Sequence, residues 1–332
     1  MINTGKPEKP RHEASCQSFL FDCAAIGDCA IRLVLAGWGM RNWIFSFWLA
    51  VSLFGRAEPV VLRVVAANLT SDKRQTYSPD NGNHSNPEGA GARILKALQP
   101  DVVLIQEFNT SVPVRQWVNA TFGESFAVAR EELAGGIPNG VISRFPIVKS
   151  GSWNDPQLEN REFFWAQIRL PSGQDLWAVS LHLHAKNATS RATSARALVA
   201  EILKQVPKNA LLVVGGDLNT RQEDEACIGI LKARLAVPGR PPVDGHGNSA
   251  TNSPRNRPYD WVLAGPTLEK LAVPVKLAGV EFASGLVFDS RVFEPLAKIP
   301  PVQRQDSALP MMQHMAVVRD FSVPEPIGDQ TD

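Results

Sequence analysis

The chain has 332 residues, 44% hydrophobic and 20% charged, with a formal net charge of +1 at pH 7. This composition excludes a chain disordered throughout, a collagen-like chain and a disulfide-dense one. A single apolar stretch of near-membrane length excludes a polytopic membrane protein. The balanced charge lacks the basic surplus of a tight non-specific nucleic-acid binder, while leaving a nuclease open.

The N-terminal part reads as a leader. Residues 43–54 form a short apolar run, preceded by Met40-Arg41-Asn42 and followed by Gly55-Arg56-Ala57. A basic start, an apolar core and small residues before a cut site are the marks of an export signal. The expectation is a signal peptide over 40–57, with 1–39 an extension from a misassigned start. An anchor helix over 31–54 is the weaker reading, because Arg32 and Arg41 interrupt it. Cys16, Cys23 and Cys29 lie upstream, so a chain of 58–332 keeps Cys227 alone and forms no internal disulfide.

Strand and helix signals then alternate. Val60–Ala67 reads as an apolar strand ending at Asn68, and 91–98 as a short helix stopped by Gln99-Pro100. Val102, Val103, Leu104 and Ile105 read as a strand buried on both faces and ending at Gln106-Glu107. Further strands are expected at 141–142, 176–183, 211–214, 259–263 and 315–318. A helix is expected at 193–203, with an apolar face at Leu198, Ile202 and Leu203. The stretches 71–91 and 237–258 read as long loops. The pattern predicts a single layered α/β domain over 58–332.

The chemistry gathers at strand ends, where α/β sheets tend to bind ligands. Asp217 and Asn219, two apart after Gly215-Gly216, would face one way if the chain stays extended. An Asx turn is the other reading. His182 and His184 share that spacing, and one functional histidine beside a partly exposed one is preferred to a zinc pair. Glu107 suits a hard cation or a salt bridge. Asp260 could orient a histidine or cap a turn. His314, among methionines, gains meaning only from this company.

In order, Asn68, Glu107, the run Asn139-Gly140-Val141-Ile142-Ser143-Arg144, His182, Asp217-Leu218-Asn219, Tyr259-Asp260 and Gln313-His314 resemble the endonuclease/exonuclease/phosphatase superfamily. Its members include deoxyribonuclease I-like nucleases, abasic-site endonucleases, neutral sphingomyelinases and inositol polyphosphate phosphatases. The resemblance implies a four-layer α/β sandwich of two packed mixed β-sheets flanked by helices. It implies Mg²⁺ or Mn²⁺ at Glu107 with Asn68 beside it, and His182 on a phosphate oxygen. Asp217 and Asn219 would handle the attacking water and the phosphate, and Asp260 would hold His314. The general base stays open between Asp217 and the His314–Asp260 pair. Asn139 and Arg144 are weaker candidates for substrate contact.

One departure stands out: the family's Ser-Asp-His is Met312-Gln313-His314 here. Gln313 keeps an oxygen but loses a charge, and Asp306 is a candidate replacement. The expected function is an exported phosphoesterase acting on phosphodiesters, with nucleic acid the first substrate choice. Small or lipid phosphate esters come next, and a non-catalytic binding protein last. Trp153, Phe163, Phe164 and Trp165 could stack bases or pack a core. A monomer with no stable protein partner is expected.

Overall fold

The computed structural model describes residues 60–69, 89–110, 112–133 and 136–323. The expected leader, the extension before it, the three upstream cysteines and loop positions 71–88 lie outside these residues. In chain order the elements are β1 (Val60–Ala67), α1 (Ala90–Leu98), β2 (Val102–Ile105), α2 (Val114–Phe122), β3 (Ala127–Arg130), β4 (Gly140–Ser143), β5 (Ile147–Trp153), β6 (Phe163–Arg169) and β7 (Asp175–His182). There follow α3 (Ala188–Gln205), β8 (Leu211–Asp217), α4 (Ala226–Leu231), β9 (Asp260–Ala264), α5 (Pro266–Glu269), β10 (Ala272–Val273), β11 (Val275–Leu277), β12 (Val280–Phe282), β13 (Leu286–Phe288) and β14 (Ala316–Val323).

Two mixed sheets result. One runs β10-β14-β1-β2-β4-β3, with β13 also on β14, and the other runs β5-β6-β7-β8-β9. Each has a parallel pair at its heart, β1 with β2 and β7 with β8, between antiparallel neighbours. The parallel pairs are joined through α1 and α3, as a crossover demands. Strand alternation then sorts the layers. Leu62, Val64 and Ala66 of β1 meet Ala178 of β7 and Val213 of β8 in the core between the sheets. Val65 and Ala67 face α1 instead, while Trp177, Val179, Leu212 and Val214 face α3 and α4. This is the four-layer sandwich.

Helix α3 starts earlier than the sequence suggests. Asn187 caps it by accepting from Thr189 N (2.9 Å) and Ser190 N (3.2 Å), a bond type contributing about 1 kcal/mol. Leu198 and Ile202 are buried, but Leu203 is 61% exposed. One residue beyond Ile202 is a rotation of about 100° around the helix, which carries Leu203 off the buried face. Trp153, Phe163, Phe164 and Trp165 are core residues, not a base-stacking surface. Trp153, Trp165 and Trp177 pack on one another with ring centres 5.2 to 6.4 Å apart. Residues 237–258 contain no helix or strand, and Arg255 ties that loop to Asp244 and Asp289. Among the described residues no helix is long and apolar enough to cross a membrane.

The sheets approach closely at Gly215-Gly216. A Cβ on Gly215 would lie 2.6 Å from Trp261 O and 2.8 Å from Leu104 Cδ1 of the opposite sheet. One on Gly216, at φ +137°, would lie 2.1 Å from Leu181 O and 2.6 Å from Gln106 Nε2. Gly216→Ala is therefore expected to destabilise the protein by about 2–4 kcal/mol through overpacking and backbone strain. Urea denaturation of the variant beside the wild type checks this; an unchanged midpoint would refute it.

Candidate active site

The sheet register explains why distant residues meet. Ala67 pairs with Ile105, so Asn68 and Glu107 leave their strands at one edge. His182 pairs with Asp217, and Asp217 with Asp260, at the same edge of the other sheet. His314 joins through a bridge to Asn252 and the bond from Met315 N to Thr251 O. Gln106 links the sheets directly beneath. Its Nε2 donates to Ser180 Oγ (2.9 Å), whose hydroxyl donates to Ile105 O (2.9 Å).

Asp217 is the centre. Its Oδ2 accepts from Asn68 Nδ2 at 3.0 Å and Asn219 Nδ2 at 3.1 Å. His182 Nε2 lies 3.2 Å away and His314 Nε2 3.6 Å. Its Oδ1 accepts from Asn219 N at 2.8 Å. That last bond is the Asx turn, and Asn219 takes a left-handed backbone, φ +53°. The strand is not extended past Asp217. Asn219 reaches the site because the turn folds it back, not because alternate side chains share a face. His184 departs likewise: its Nδ1 accepts from Lys186 N and Asn187 N, shaping the loop before α3.

Burial pushes the Asp217 carboxyl up from its ordinary range, with the Asp260 charge adding and the His314 charge opposing. Burial also holds His182 well below its usual value, helped by the nearby Arg161 and His314 cations, so its ring is neutral. His314 behaves oppositely. Burial lowers it, but Asp260, Asp217 and the bond from Nδ1 to Asp260 Oδ2 (2.9 Å) outweigh that and raise it to about 9. Thr251 Oγ1 donates to the same Asp260 oxygen at 2.7 Å, fixing the carboxylate.

Two places could take a cation. Asp217, Asp260 and His314 offer atoms within 4.8 Å of one another. However, Asp260 Oδ2 is spent on Thr251 and His314, and a protonated imidazole has no lone pair to give, which leaves only Asp217 and Asp260 Oδ1 there. The Asn68–Glu107 pair fits better. Asn68 Nδ2 points at Asp217 and at Glu107 Oε1 (3.4 Å), which fixes the amide and leaves Oδ1 buried without a partner among the described residues. A carboxylate beside a desolvated amide oxygen suits a hard divalent ion. Glu107 also holds φ +49°, an uncommon conformation for a non-glycine residue and a frequent mark of functional positions.

Three expectations are corrected or narrowed. Arg144 is not at the site. It pairs with Asp101 (Nε to Oδ1 2.9 Å) at the Val102–Ser143 end of the sheet, opposite to Glu107. Asp306 does not replace the missing carboxylate, because its two oxygens are bound to Arg93 of α1. Asn139 lies at the correct edge. Its amide nitrogen serves Glu131 Oε1 (3.3 Å) and Glu162 O (2.7 Å), leaving Oδ1 buried and unpartnered among the described residues. Sequence reasoning missed Arg161, a buried arginine donating to His182 O (2.6 Å) and Leu183 O (3.0 Å). It also donates to Asn160 Oδ1 (3.0 Å), but the two bonds that tie it to the site go to main-chain carbonyls, which leave no side-chain signature.

A sandwich of two mixed sheets, with carboxylates, amides and histidines gathered across one edge of both, is a phosphoesterase-type fold. The family model described as "Endonuclease/Exonuclease/phosphatase family" matches residues 81–282, and the chain belongs to that family. No curated protein matches it in sequence. Among solved structures it is similar to an endonuclease/exonuclease/phosphatase from Bacteroides vulgatus, with TM-score 0.54, 15% identity and coverage of 80% of this chain and 99% of that one. It is similar to D. rerio TDP2 complexed with a single-strand DNA product (0.51, 18%, 79% and 98%). It is also similar to the Bacteroides thetaiotaomicron mannosyl-6-phosphatase Bt3783 (0.50, 14%, 78% and 98%). Family members are hydrolases of phosphate esters.

His314 provides a direct check. NMR titration of its ring should give a midpoint near 9, and a lower one in Asp260→Asn. A raised histidine value stabilises the fold fully below the unfolded value of 6.5, and that contribution is lost as pH rises through 9. The stability gap between wild type and Asp260→Asn should therefore narrow over this window by about 3 kcal/mol. A gap independent of pH would contradict the assignment.

Proposed function

We propose that the protein is an exported, monomeric, divalent-metal-dependent phosphoesterase whose first substrates are phosphodiesters. The observation that carries this reading is Asp217, one buried carboxylate met by side chains from both sheets. Glu107 and Asn68 would hold Mg²⁺ or Mn²⁺. When bound, such an ion supplies charge neutralisation and polarises a phosphoryl oxygen. Asp217, raised toward neutrality by burial, orients a water and takes its proton, as a general base requires. Asn68 and Asn219 fix its oxygens. His314, charged and held by Asp260, donates toward the non-bridging oxygens as negative charge grows. Its charged state favours Asp217 over His314 as the base. His182, neutral, presents Nε2–H at the same point.

The similar folds support the breadth of this reading and not its detail, since one was solved with a DNA product and another is a sugar phosphatase. Export rests on the 43–54 run and its flanks. N-terminal sequencing of the protein recovered outside the cytoplasm should begin at Glu58, and a start before Met40 would refute the proposed leader.

The enzymatic reading is tested on the purified full chain with bis(4-nitrophenyl) phosphate, single- and double-stranded DNA and a phosphomonoester. Chelator should abolish turnover and Mg²⁺ or Mn²⁺ restore it. Asp217→Asn should lower kcat by roughly 10²–10⁴, and Glu107→Ala should remove the metal dependence together with the activity. Turnover indifferent to chelator, or full activity in Glu107→Ala, would overturn the metal assignment. Absence of turnover on every ester would leave a binding role.

A further inference from the structure

We propose that Arg221 and Arg257 form a second anion subsite beside His314, so that the preferred substrate carries a second phosphate close to the scissile one. This rests on the phosphoesterase reading and narrows its substrate class.

Tyr259 is the pivot. Its ring centre lies 5.5 Å from that of His314. Its hydroxyl oxygen accepts from Arg221 Nη1 at 3.1 Å and from Arg257 Nη1 at 3.4 Å. Two guanidinium groups on one phenol oxygen repel each other. Arg63, Arg93, Arg191 and Arg319 each bind a carboxylate, whereas Arg130 and Arg161 are held by carbonyl and amide oxygens. Arg221 and Arg257 have no ion pair among the described residues. The further side-chain bond of Arg221 goes to Ala185 O at 3.0 Å.

The arrangement is braced. Glu225 Oε2 accepts from Arg221 N at 2.9 Å. Trp261 Nε1 donates to both Thr220 Oγ1 and Pro258 O at 2.9 Å, locking together the two segments that carry the arginines. Asn252 Oδ1 accepts from Arg257 N at 2.9 Å. These bonds hold the two backbones, so the guanidinium groups start from fixed positions on either side of Tyr259.

The adjoining cleft points the same way. It encloses about 400 Å³, and Arg257, Tyr259, Gln313 and His314 are among its lining residues, none of which is acidic. Gln313 puts no charge into this lining, so Arg257 faces no carboxylate there, while the His314 charge is countered by Asp260 and Asp217. A guanidinium pair is suited to bidentate binding of a phosphate. The second phosphate could sit along a nucleotide chain or on a small molecule, and the test separates these.

The full chain is assayed on two substrate pairs: thymidylyl-thymidine with and without a 5′-phosphate, and a hexose bisphosphate against the hexose monophosphate. In one pair, kcat/KM should favour the doubly phosphorylated member by roughly tenfold or more, and the pair that shows it names the source. The Arg221→Gln/Arg257→Gln double variant should lose that preference, while Arg144→Gln, remote from the site, keeps it. A preference that survives in the double variant would overturn the subsite. Calorimetric titration with pyrophosphate and orthophosphate reads the same selectivity without turnover. Tighter pyrophosphate binding that depends on the two arginines would uphold the subsite even if no ester were hydrolysed, whereas equal affinities in the wild type would overturn it.

Discussion

The close approach of the two sheets at Gly215-Gly216 governs the rest of the molecule. Sheets packed face to face ordinarily sit about 10 Å apart, separated by interleaved side chains. At this seam the glycines remove those side chains, Leu104 fills the gap left beside Gly215, and Gln106 spans to Ser180. The edges of both sheets are thereby brought to one place. Without that convergence, Asn68 and Glu107 would belong to one surface and His182, Asp217 and Asp260 to another. The polar link is buried, so it also fixes register. A slip of one residue in β2 would leave the Gln106 amide without its acceptors in a dry environment, a cost of several kcal/mol.

Geometry at the seam then sets the electrostatics. Asp217 is desolvated on every side, which would neutralise an isolated carboxylate. It lies instead beside the His314 cation, with Arg161 within electrostatic reach behind His182. His314 keeps its proton because Asp260 and Asp217 outweigh its own burial. His182, only 3.2 Å from the same Asp217 oxygen, loses its proton because Arg161 and His314 add to burial rather than oppose it. Two buried histidines on one carboxylate thus take opposite charge states, decided by which neighbours each one faces. This division separates a positive donor from a neutral one, which hydrolysis of an anionic ester can use.

Most of this architecture is legible in the chain because parallel strands buried on both faces leave unmistakable runs. Val102–Ile105 appears at its full length, and 211–214 marks the apolar part of β8. The edge strands are harder to read. β3 is half-exposed throughout and β5 carries exposed serines on either side of a half-buried glycine, so neither shows apolar continuity. The site residues at strand ends are legible for the same reason as the strands. The remainder depends on long-range folding. Asn219 enters through a left-handed turn that spacing does not encode. Arg161 reaches the site through the main-chain carbonyls of His182 and Leu183, and Arg144, inside the run 139–144 that resembles the family, falls at the wrong end of β4. A motif fixes which strand a residue follows, and only the register fixes which end faces the chemistry.

Net charge illustrates the same limit. A value of +1 over 332 residues suggests indifference to anions. Yet charge acts at the range of a Debye length, about 8–10 Å at ordinary salt, and a low-dielectric cleft focuses it further. Within the site, acidic and basic groups nearly compensate: Glu107, Asp217 and Asp260 against His314 and Arg161. At the rim beside His314 they do not, because Gln313 withholds a carboxylate where Arg257 supplies a cation. An amide at position 313 hardly alters the total, but it leaves Arg257 without a carboxylate in the lining of the cleft. An anionic ester arriving there meets a locally positive mouth on a nearly neutral molecule. The amide at position 313 thus bears on the charge of the cleft lining alone, because the bonds that join Asn68, Glu107 and Asp217 do not involve it.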